Sequence, residues 1–380
     1  MNKHKAEKTV FISDAQAAAR SEGNIYGRYF KESGVFNIFP LELECKGELL
    51  GRVLPVGSSP NRSKLCGVIT GNGIEFYSYG KKAQCEVYSL YQNIFSRNTG
   101  ILESDVMAQK RAIILGCGSV GSLVALELAR SGVKHFILVD ADIVEYHNIC
   151  RHQCGIEDVG DYKVYALKRK IFNINPSAEV ITFEGIVQNL PKDTLDAFCA
   201  ADNTVFIGCA DNRIADVYTN RISMYYKSAF VSIGFWERAF AGEIFYHMHG
   251  KNMPCYECAL GDGSNLSARS EANHHIYSNQ EDIEGIKFEP GISVDINFVT
   301  SIGVKLILDI LNVNNDGHKP RLLNNLTQYT LVCNTSDPEI GGEMVEIFSY
   351  PLQVTTSLKV GFSKKCEDKC KYEQYGIDKL

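Results

Sequence analysis

The sequence predicts an α/β protein built on a doubly wound, mostly parallel Rossmann-like sheet, with a small β-rich N-terminal accessory domain in front of it. Three observations predict this. Between residues 111 and 235, short apolar runs alternate with amphipathic stretches of helical length, the pattern of strand–helix–strand units. One such run leads into Gly116-Cys117-Gly118-Ser119-Val120-Gly121, which places three glycines in G-x-G-x-x-G spacing between a strand and a helix. Residues 1–91 show no such alternation and read as strands and turns, so the domain boundary is placed between 91 and 92, with 92–380 as one domain.

In chain order, Phe11–Ser21 is expected to form a short helix. Strands are expected over 35–45 and 49–56, followed by a hairpin of 66–70 and 74–79 turning at Gly71-Asn72-Gly73. Residues 86–110 read as a helical lead-in. The main domain is then expected to run through strands at 112–115, 135–139, 179–183, 204–208 and 229–233, with helices over about 119–131, 161–173 and 213–226 between them. A further strand is expected at 241–248. A long polar segment of little periodicity, 261–289, reads as a functional loop. An amphipathic helix over 292–311 and strands at 326–332 and 343–349 complete the pattern before a charged tail.

Composition narrows the function. The chain has 380 residues, 45% hydrophobic and 22% charged, as in ordinary globular proteins. A net charge of −6 with no basic run argues against a nucleic-acid surface. No run approaches the roughly 20 apolar residues of a membrane-spanning helix, and the N-terminus does not read as a secretory signal, so a cytoplasmic location is expected. Thirteen cysteines, an odd number scattered mostly within apolar runs, do not suggest a disulfide framework. Two pairs stand apart: Cys255 with Cys258, and Cys366 with Cys370.

The glycine segment carries the first chemistry. Gly116 suits a tight turn, Gly118 lets a phosphate approach the backbone, and Gly121 lets the following helix pack on the strand. The N-terminus of that helix favours an anion. Asp140, ending the next strand, is placed to hydrogen-bond a ribose. Glycines alone fit an NAD-dependent oxidoreductase equally well. The polar residues further along the chain do not. They are Asp142, Asn148, Arg151 and Gln153, then Lys163 opening a helix, then Gly208-Cys209-Ala210-Asp211-Asn212 after a strand. Taken singly, Arg151 and Lys163 read as solvated charges and Asp211 as a helix cap. Taken together, at the strand ends where such sheets bind ligands, cations and a carboxylate suit phosphate chemistry rather than hydride transfer.

These motifs, in this order, resemble the ubiquitin-activating superfamily with its bacterial ThiF, MoeB and HesA members, over about residues 92–312 plus the terminal cysteine pair. The resemblance implies an adenylyltransferase. It would use ATP and Mg²⁺ to activate the C-terminal carboxylate of a ubiquitin-like protein, as in bacterial conjugation pathways. It implies that Asp140 and Asp142, with the glycines, hold the nucleotide, that Asn148, Arg151 and Lys163 contact the phosphates, and that Asp211, beside Asn212, positions Mg²⁺. Phe95-Ser96-Arg97-Asn98 resembles the family's lead-in motif, so Arg97 would act in trans across a homodimer. Cys255 and Cys258 match half of a structural zinc site that Cys366 and Cys370 would complete, although the second pair has C-x₃-C rather than C-x₂-C spacing. The implied partners are the ubiquitin-like protein or a peptide tail, and a conjugating enzyme downstream. The chain departs from the family where Arg151-His152-Gln153 replaces Arg-Gln, and at Ser119, where many members have glycine. It also has no cysteine between Cys258 and Cys333, which argues against a thioester step. Activation of a peptide or a sulfur-carrier protein, or a non-catalytic nucleotide-binding scaffold, are the competing readings.

Overall fold

The computed structural model describes residues 8–41, 47–90, 92–201, 203–210, 213–260, 290–356, 358–363, 366 and 370. The chain divides into two compact units, residues 1–104 with 171–177, and residues 105–170 with 178–380.

The first unit holds an eight-stranded mixed sheet. Its strands are β1 (Thr9–Ser13), β2 (Gly23–Phe30), β3 (Val35–Ile38), β4 (Glu48–Leu54), β5 (Leu65–Thr70), β6 (Gly73–Ser78), β7 (Lys81–Lys82) and β8 (Gln84–Tyr88), in the order β7-β6-β5-β4-β2-β3-β1-β8. One face carries a core of Val10, Ile12, Ile25, Phe36, Leu50, Leu65 and Phe76. The expected 66–70/74–79 hairpin is β5–β6, paired antiparallel from Cys66↔Tyr77 to Thr70↔Gly73. The expected helix over 11–21 is corrected. Alternation of Val10 and Ile12 into the core makes Thr9–Ser13 a strand, parallel to β8, and only α1 (Asp14–Ala19) is helical, capped by the Ser13 hydroxyl accepting from the Gln16 amide. Likewise 86–110 is not a helical lead-in. It holds the edge strand β8, turns over 92–101, and the short α2 (Ser104–Met107). The strand expected over 35–45 ends at Ile38, and 42–46 lie outside the described residues.

The second unit is the doubly wound part, with the last four residues of its helix Lys163–Ile174 grouped with the first unit. β9 (Arg111–Leu115), α3 (Ser119–Arg130), β10 (His135–Asp140), α4 (Lys163–Ile174), β11 (Glu179–Glu184), α5 (Lys192–Phe198), β12 (Thr204–Gly208), α6 (Arg213–Tyr225) and β13 (Ala229–Phe235) alternate as expected, with α5 as an additional helix. β11-β10-β9-β12-β13 are parallel throughout. Ala112–Leu115 and Phe136–Val139 are buried on both faces, the reason they read as unbroken apolar runs. β14 (Ala241–His247), β15 (Tyr329–Cys333) and β16 (Val354–Thr355) extend the sheet antiparallel, and α7 (Tyr256–Leu260), α8 (Ser293–Leu311) and α9 (Pro338–Gly341) complete the unit. The strand expected at 343–349 is instead a 3₁₀ turn over Glu343–Ile347, in which Val345 and Phe348, three residues apart, both bury.

Chain direction across this sheet positions the site. From β9 the chain steps to β10 and β11 on one side, then returns to place β12 on the other side of β9. The crossovers therefore diverge above the C-terminal ends of β9 and β12, leaving a crevice where such sheets take ligands.

Candidate functional site

Two loops meet at that crevice. Gly116 follows β9 at φ +89°, and a Cβ there would lie 2.8 Å from the Ala210 nitrogen and 2.9 Å from the Cys209 carbonyl. Only glycine permits both that conformation and that approach. The Cys209 amide, just past β12, donates to the Leu115 carbonyl at 2.8 Å and ties the two loops together. A Cβ on Gly121 would stand 1.8 Å from the Gly116 carbonyl oxygen and 3.3 Å from Ile114, so this glycine lets the first turn of α3 rest on the loop and strand beneath it. Gly118 is the residue before α3, and a Cβ there would meet nothing within 4 Å. The three glycines thus differ: two are needed for close backbone approach, and the third borders open space.

Acidic and basic groups are wired to this loop. One Asp140 carboxylate oxygen accepts from the Cys117 amide at 2.6 Å, and the other accepts from the Asp142 amide at 2.8 Å. Asp142 in turn holds Lys163: its carboxylate is 2.7 Å from Nζ, and its carbonyl accepts the Lys163 amide at 2.9 Å. Lys163 is nearly buried while Asp142 is exposed, so the pair runs from the interior to the surface. The Asn148 side-chain oxygen accepts from the Glu145 amide at 2.9 Å, capping its own 3₁₀ turn and leaving only its amide group for a ligand. The Arg151 amide donates to the Asn148 carbonyl at 3.0 Å, and its guanidinium lies 3.8 Å from where a Cβ of Gly291, just before α8, would stand.

His152, read from the sequence only as a departure, is buried, with Nε2 2.6 Å from the Cys117 carbonyl of the glycine loop. The neighbouring Gln153 amide donates to the Ser122 hydroxyl on α3 at 3.3 Å. Residues 148–153 are therefore bolted to the glycine loop and to α3. A second network that sequence reasoning misses stands behind α6. The buried Glu243 carboxylate accepts from Trp236 Nε1 at 2.9 Å and from the Tyr329 hydroxyl at 2.5 Å, and lies 3.9 Å from the Arg213 guanidinium at the start of α6. Below it, buried Asp216 accepts from the Ser232 hydroxyl at 2.6 Å. These links cross from α6 to β13, β14 and β15, whose sequence separation hides them from local pattern reading.

Gly116, Gly118, Gly121, Asp140, Asp142 and Lys163 are thus brought together, with Asn148 and Arg151 on an adjoining segment. Asp211 and Asn212 lie outside the described residues, as do 261–289. Arg97 is exposed and belongs to the first unit.

Away from the crevice, Cys255, Cys258, Cys366 and Cys370 place their sulfurs within 4.8 Å of one another. Cys255 and Cys258 Sγ are 3.7 Å apart, and Cys258 and Cys370 Sγ 3.6 Å, too far for a disulfide. A tetrahedral Zn²⁺ with Zn–S bonds near 2.3 Å separates its sulfurs by about 3.8 Å, so the set fits that ion. The amides of Cys255 and Ser363 each donate to a sulfur of the cluster at 3.3 Å, as thiolate ligands favour. The C-x₃-C spacing of the second pair is no obstacle to this geometry.

Comparison with known proteins points the same way. The model of the ThiF family matches residues 92–341. Over 94 residues, 24% of this chain and 37% of that protein, the chain is 39% identical to the tRNA threonylcarbamoyladenosine dehydratase of Bacillus subtilis. It is 28% identical over 169 residues, 42% of each chain, to ubiquitin-like modifier-activating enzyme 5 of Culex quinquefasciatus. It is 31% identical over 117 residues, 28% of this chain and 20% of that protein, to the ATP-dependent ubiquitin transferase-like protein Cap2 of Escherichia coli. The matched stretch spans about two fifths or less of the length of each of these relatives. The crystal structure of E. coli MccB with ATP superposes with a TM-score of 0.50 at 19% identity, over 74% of this chain and 75% of that one, and shares its fold.

Proposed function

The chain belongs to the ThiF family, and from that premise we propose that it adenylates a carboxylate with ATP. The observation that carries this reading is the convergence, above β9 and β12, of an open glycine loop, the Asp140 carboxylate and the Lys163–Asp142 pair. A dinucleotide reductase needs the first two and has no use for the third.

In the proposed reaction, a carboxylate oxygen attacks the α-phosphorus of ATP. The bond from that phosphorus to the bridging oxygen breaks, pyrophosphate leaves with the electron pair, and an acyl-adenylate remains. The chain supplies alignment and charge compensation rather than covalent chemistry. Loop amides at Gly118 and the start of α3 receive phosphate oxygens. Lys163, drawn toward the crevice by Asp142, offsets charge as pyrophosphate departs, and Arg151 serves the same purpose from the adjoining segment. Asp140, already gripping the loop through the Cys117 amide, keeps acceptor capacity for a ribose hydroxyl. Asp211, with Asn212 beside it, would hold Mg²⁺, which would offset phosphate charge. Arg97 would reach the nucleotide of a second copy in a homodimer.

The acceptor we favour is the C-terminal tail of a ubiquitin-like protein, in a cytoplasmic conjugation pathway with a conjugating enzyme downstream, and residues 1–91 would select that partner. Cys255, Cys258, Cys366 and Cys370 would bind Zn²⁺ and tie the C-terminal segment to α7, supplying cross-linking and no chemistry. The test is ATP–pyrophosphate exchange with purified chain, Mg-ATP and candidate tails ending in Gly-Gly. Exchange that falls at least 100-fold in Lys163→Ala supports the reading. Robust exchange by that variant, or none by the wild-type chain with any ubiquitin-like, sulfur-carrier or peptide tail, refutes it and favours a scaffold.

A further inference from the structure

His152 is placed to control the shape of the glycine loop. Its ring is buried between the loop and the 3₁₀ turn that begins after residue 155, and both nitrogens are engaged. The Cys154 amide donates to Nδ1 at 3.0 Å, so Nδ1 carries no proton. The proton therefore sits on Nε2, which donates to the Cys117 carbonyl at 2.6 Å. Cys154 is itself fixed in a buried cluster with Val144 and Ala166, so the ring has little room to turn.

The consequence lies one atom further along the chain. A trans peptide is planar, with its C=O and N–H pointing in opposite directions. The peptide joining Cys117 to Gly118 has its carbonyl drawn inward by His152. Its N–H, that of Gly118, must then point away from His152, in a residue whose Cα borders open space, since a Cβ there would meet nothing within 4 Å. The preceding N–H, that of Cys117, is held inward by Asp140. Asp140 and His152 thus grip one residue at both ends and turn the next amide toward the crevice.

We propose that His152 is a positioning residue for nucleotide binding, orienting the Gly118 amide toward a phosphate through the Cys117 carbonyl. This rests on the nucleotide reading given above. It also sets a pH limit. Groups charged around the ring are Lys163 at the start of α4, Asp140 at the end of β10 and Asp158 in the following turn. Burial, opposed in part by the hydrogen bond to Cys117, holds the ring below the ordinary histidine range, so it is neutral near pH 7. A proton on Nδ1 would set one donor against another at the Cys154 amide and unseat the ring from which Nε2 holds the Cys117 carbonyl.

Titration of the full chain with Mg-ATP tests this, using wild type, His152→Ala and His152→Gln. A glutamine side-chain amide reaches about as far as Nε2 and carries a donor that does not titrate. His152→Ala is expected to bind ATP at least 10-fold more weakly, and His152→Gln within about 3-fold of wild type at pH 7.5. Below the ordinary histidine range, wild type is expected to lose affinity faster than His152→Gln. Undiminished binding by His152→Ala, or parallel pH curves for wild type and His152→Gln, overturns the inference while leaving the nucleotide reading intact. No ATP binding by the wild-type chain overturns both.

Discussion

Substituting alanine at Gly121 and, separately, at Gly118 should separate building the site from using it. A methyl at Gly121 would stand 1.8 Å from the Gly116 carbonyl oxygen, where real contacts are no closer than 3.0 Å, so α3 or the loop must shift by about 1.2 Å. Both partners are backbone, so no side-chain rotation relieves the clash. Overpacking of this kind costs about 3 kcal/mol at the upper end of its usual range. Alanine's better helix propensity returns about 1 kcal/mol. The net loss of about 2 kcal/mol corresponds, for a unit of this size, to a fall of roughly 4–8 °C in melting temperature. A methyl at Gly118 meets open space, and its φ of −75° suits any residue, so melting should move by less than about 3 °C. That methyl would occupy the position proposed for a phosphate oxygen, and ATP affinity should fall at least 10-fold. Thermal unfolding by circular dichroism and Mg-ATP calorimetry read the two effects. Unchanged melting in Gly121→Ala would refute the packing argument, and unchanged affinity in Gly118→Ala would refute the placement of phosphate at the loop.

Two more predictions concern groups away from the crevice. Metal analysis of the purified chain should find one zinc per chain, and a strong chelator or Cys258→Ser should lower the melting temperature by more than about 5 °C; a chain isolated without metal under non-chelating conditions would contradict the Cys₄ site. His247 is buried at the end of β14, and burial, followed by the charge of His249, pushes its pKa down to about 4. The unfolded chain then binds the proton that the folded chain refuses, so the contribution is fully present above about pH 6.5 and is lost as pH falls toward 4, on the order of 3 kcal/mol in all. Urea unfolding at pH 7 and pH 4.5 should show a smaller loss for His247→Leu than for wild type, and equal losses would exclude this source of acid sensitivity.

How much of the molecule is legible in its sequence depends on the range of the forces involved. β9, β10, β12 and β13 are buried on both faces, so each registers as an unbroken apolar run whatever its partners. The glycine loop is equally local, since a positive φ at Gly116 and a backbone contact at Gly121 act within six residues. The N-terminal sheet is another matter. β1 is held by β8, some 75 residues on, so Thr9–Ser13 has no nearby signal to oppose a helical reading of 11–21. β2 escapes sequence reading because its outward face is polar or aromatic and only Ile25 and Gly27 are fully buried along it. The same rule separates the site residues. Lys163 and Asp142 stand out as charges near strand ends, whereas His152 bonds to Cys117, 35 residues away, and Glu243 to Tyr329, 86 residues away. Only folded geometry shows that the interposed histidine is buried and bonded to the glycine loop.

The cysteines decide how far the proposed chemistry can run on this chain. Forming a thioester requires a thiolate near the acyl-adenylate. Cys117 lies in the glycine loop itself, but it is wholly buried and its thiol is pushed far up by burial and by Asp140. Cys154, behind His152, is pushed up to about 12, again chiefly by burial. Cys209 is buried beside the loop. Cys333 is enclosed at the end of β15, with its amide bonded to the Gln353 carbonyl and its thiol also raised by burial. Cys150 is exposed next to Arg151, with its Sγ 3.3 Å from the His147 carbonyl. Among the described residues around the crevice, then, the buried thiols serve as packing, and Cys150 is the exposed one. The acyl group would be formed in a site rich in cations and amide donors and poor in thiolate. On the proposed reading its departure falls to a nucleophile carried in by another molecule, which makes residues that recognise that molecule, rather than a cysteine of this chain, the determinants of what the product becomes.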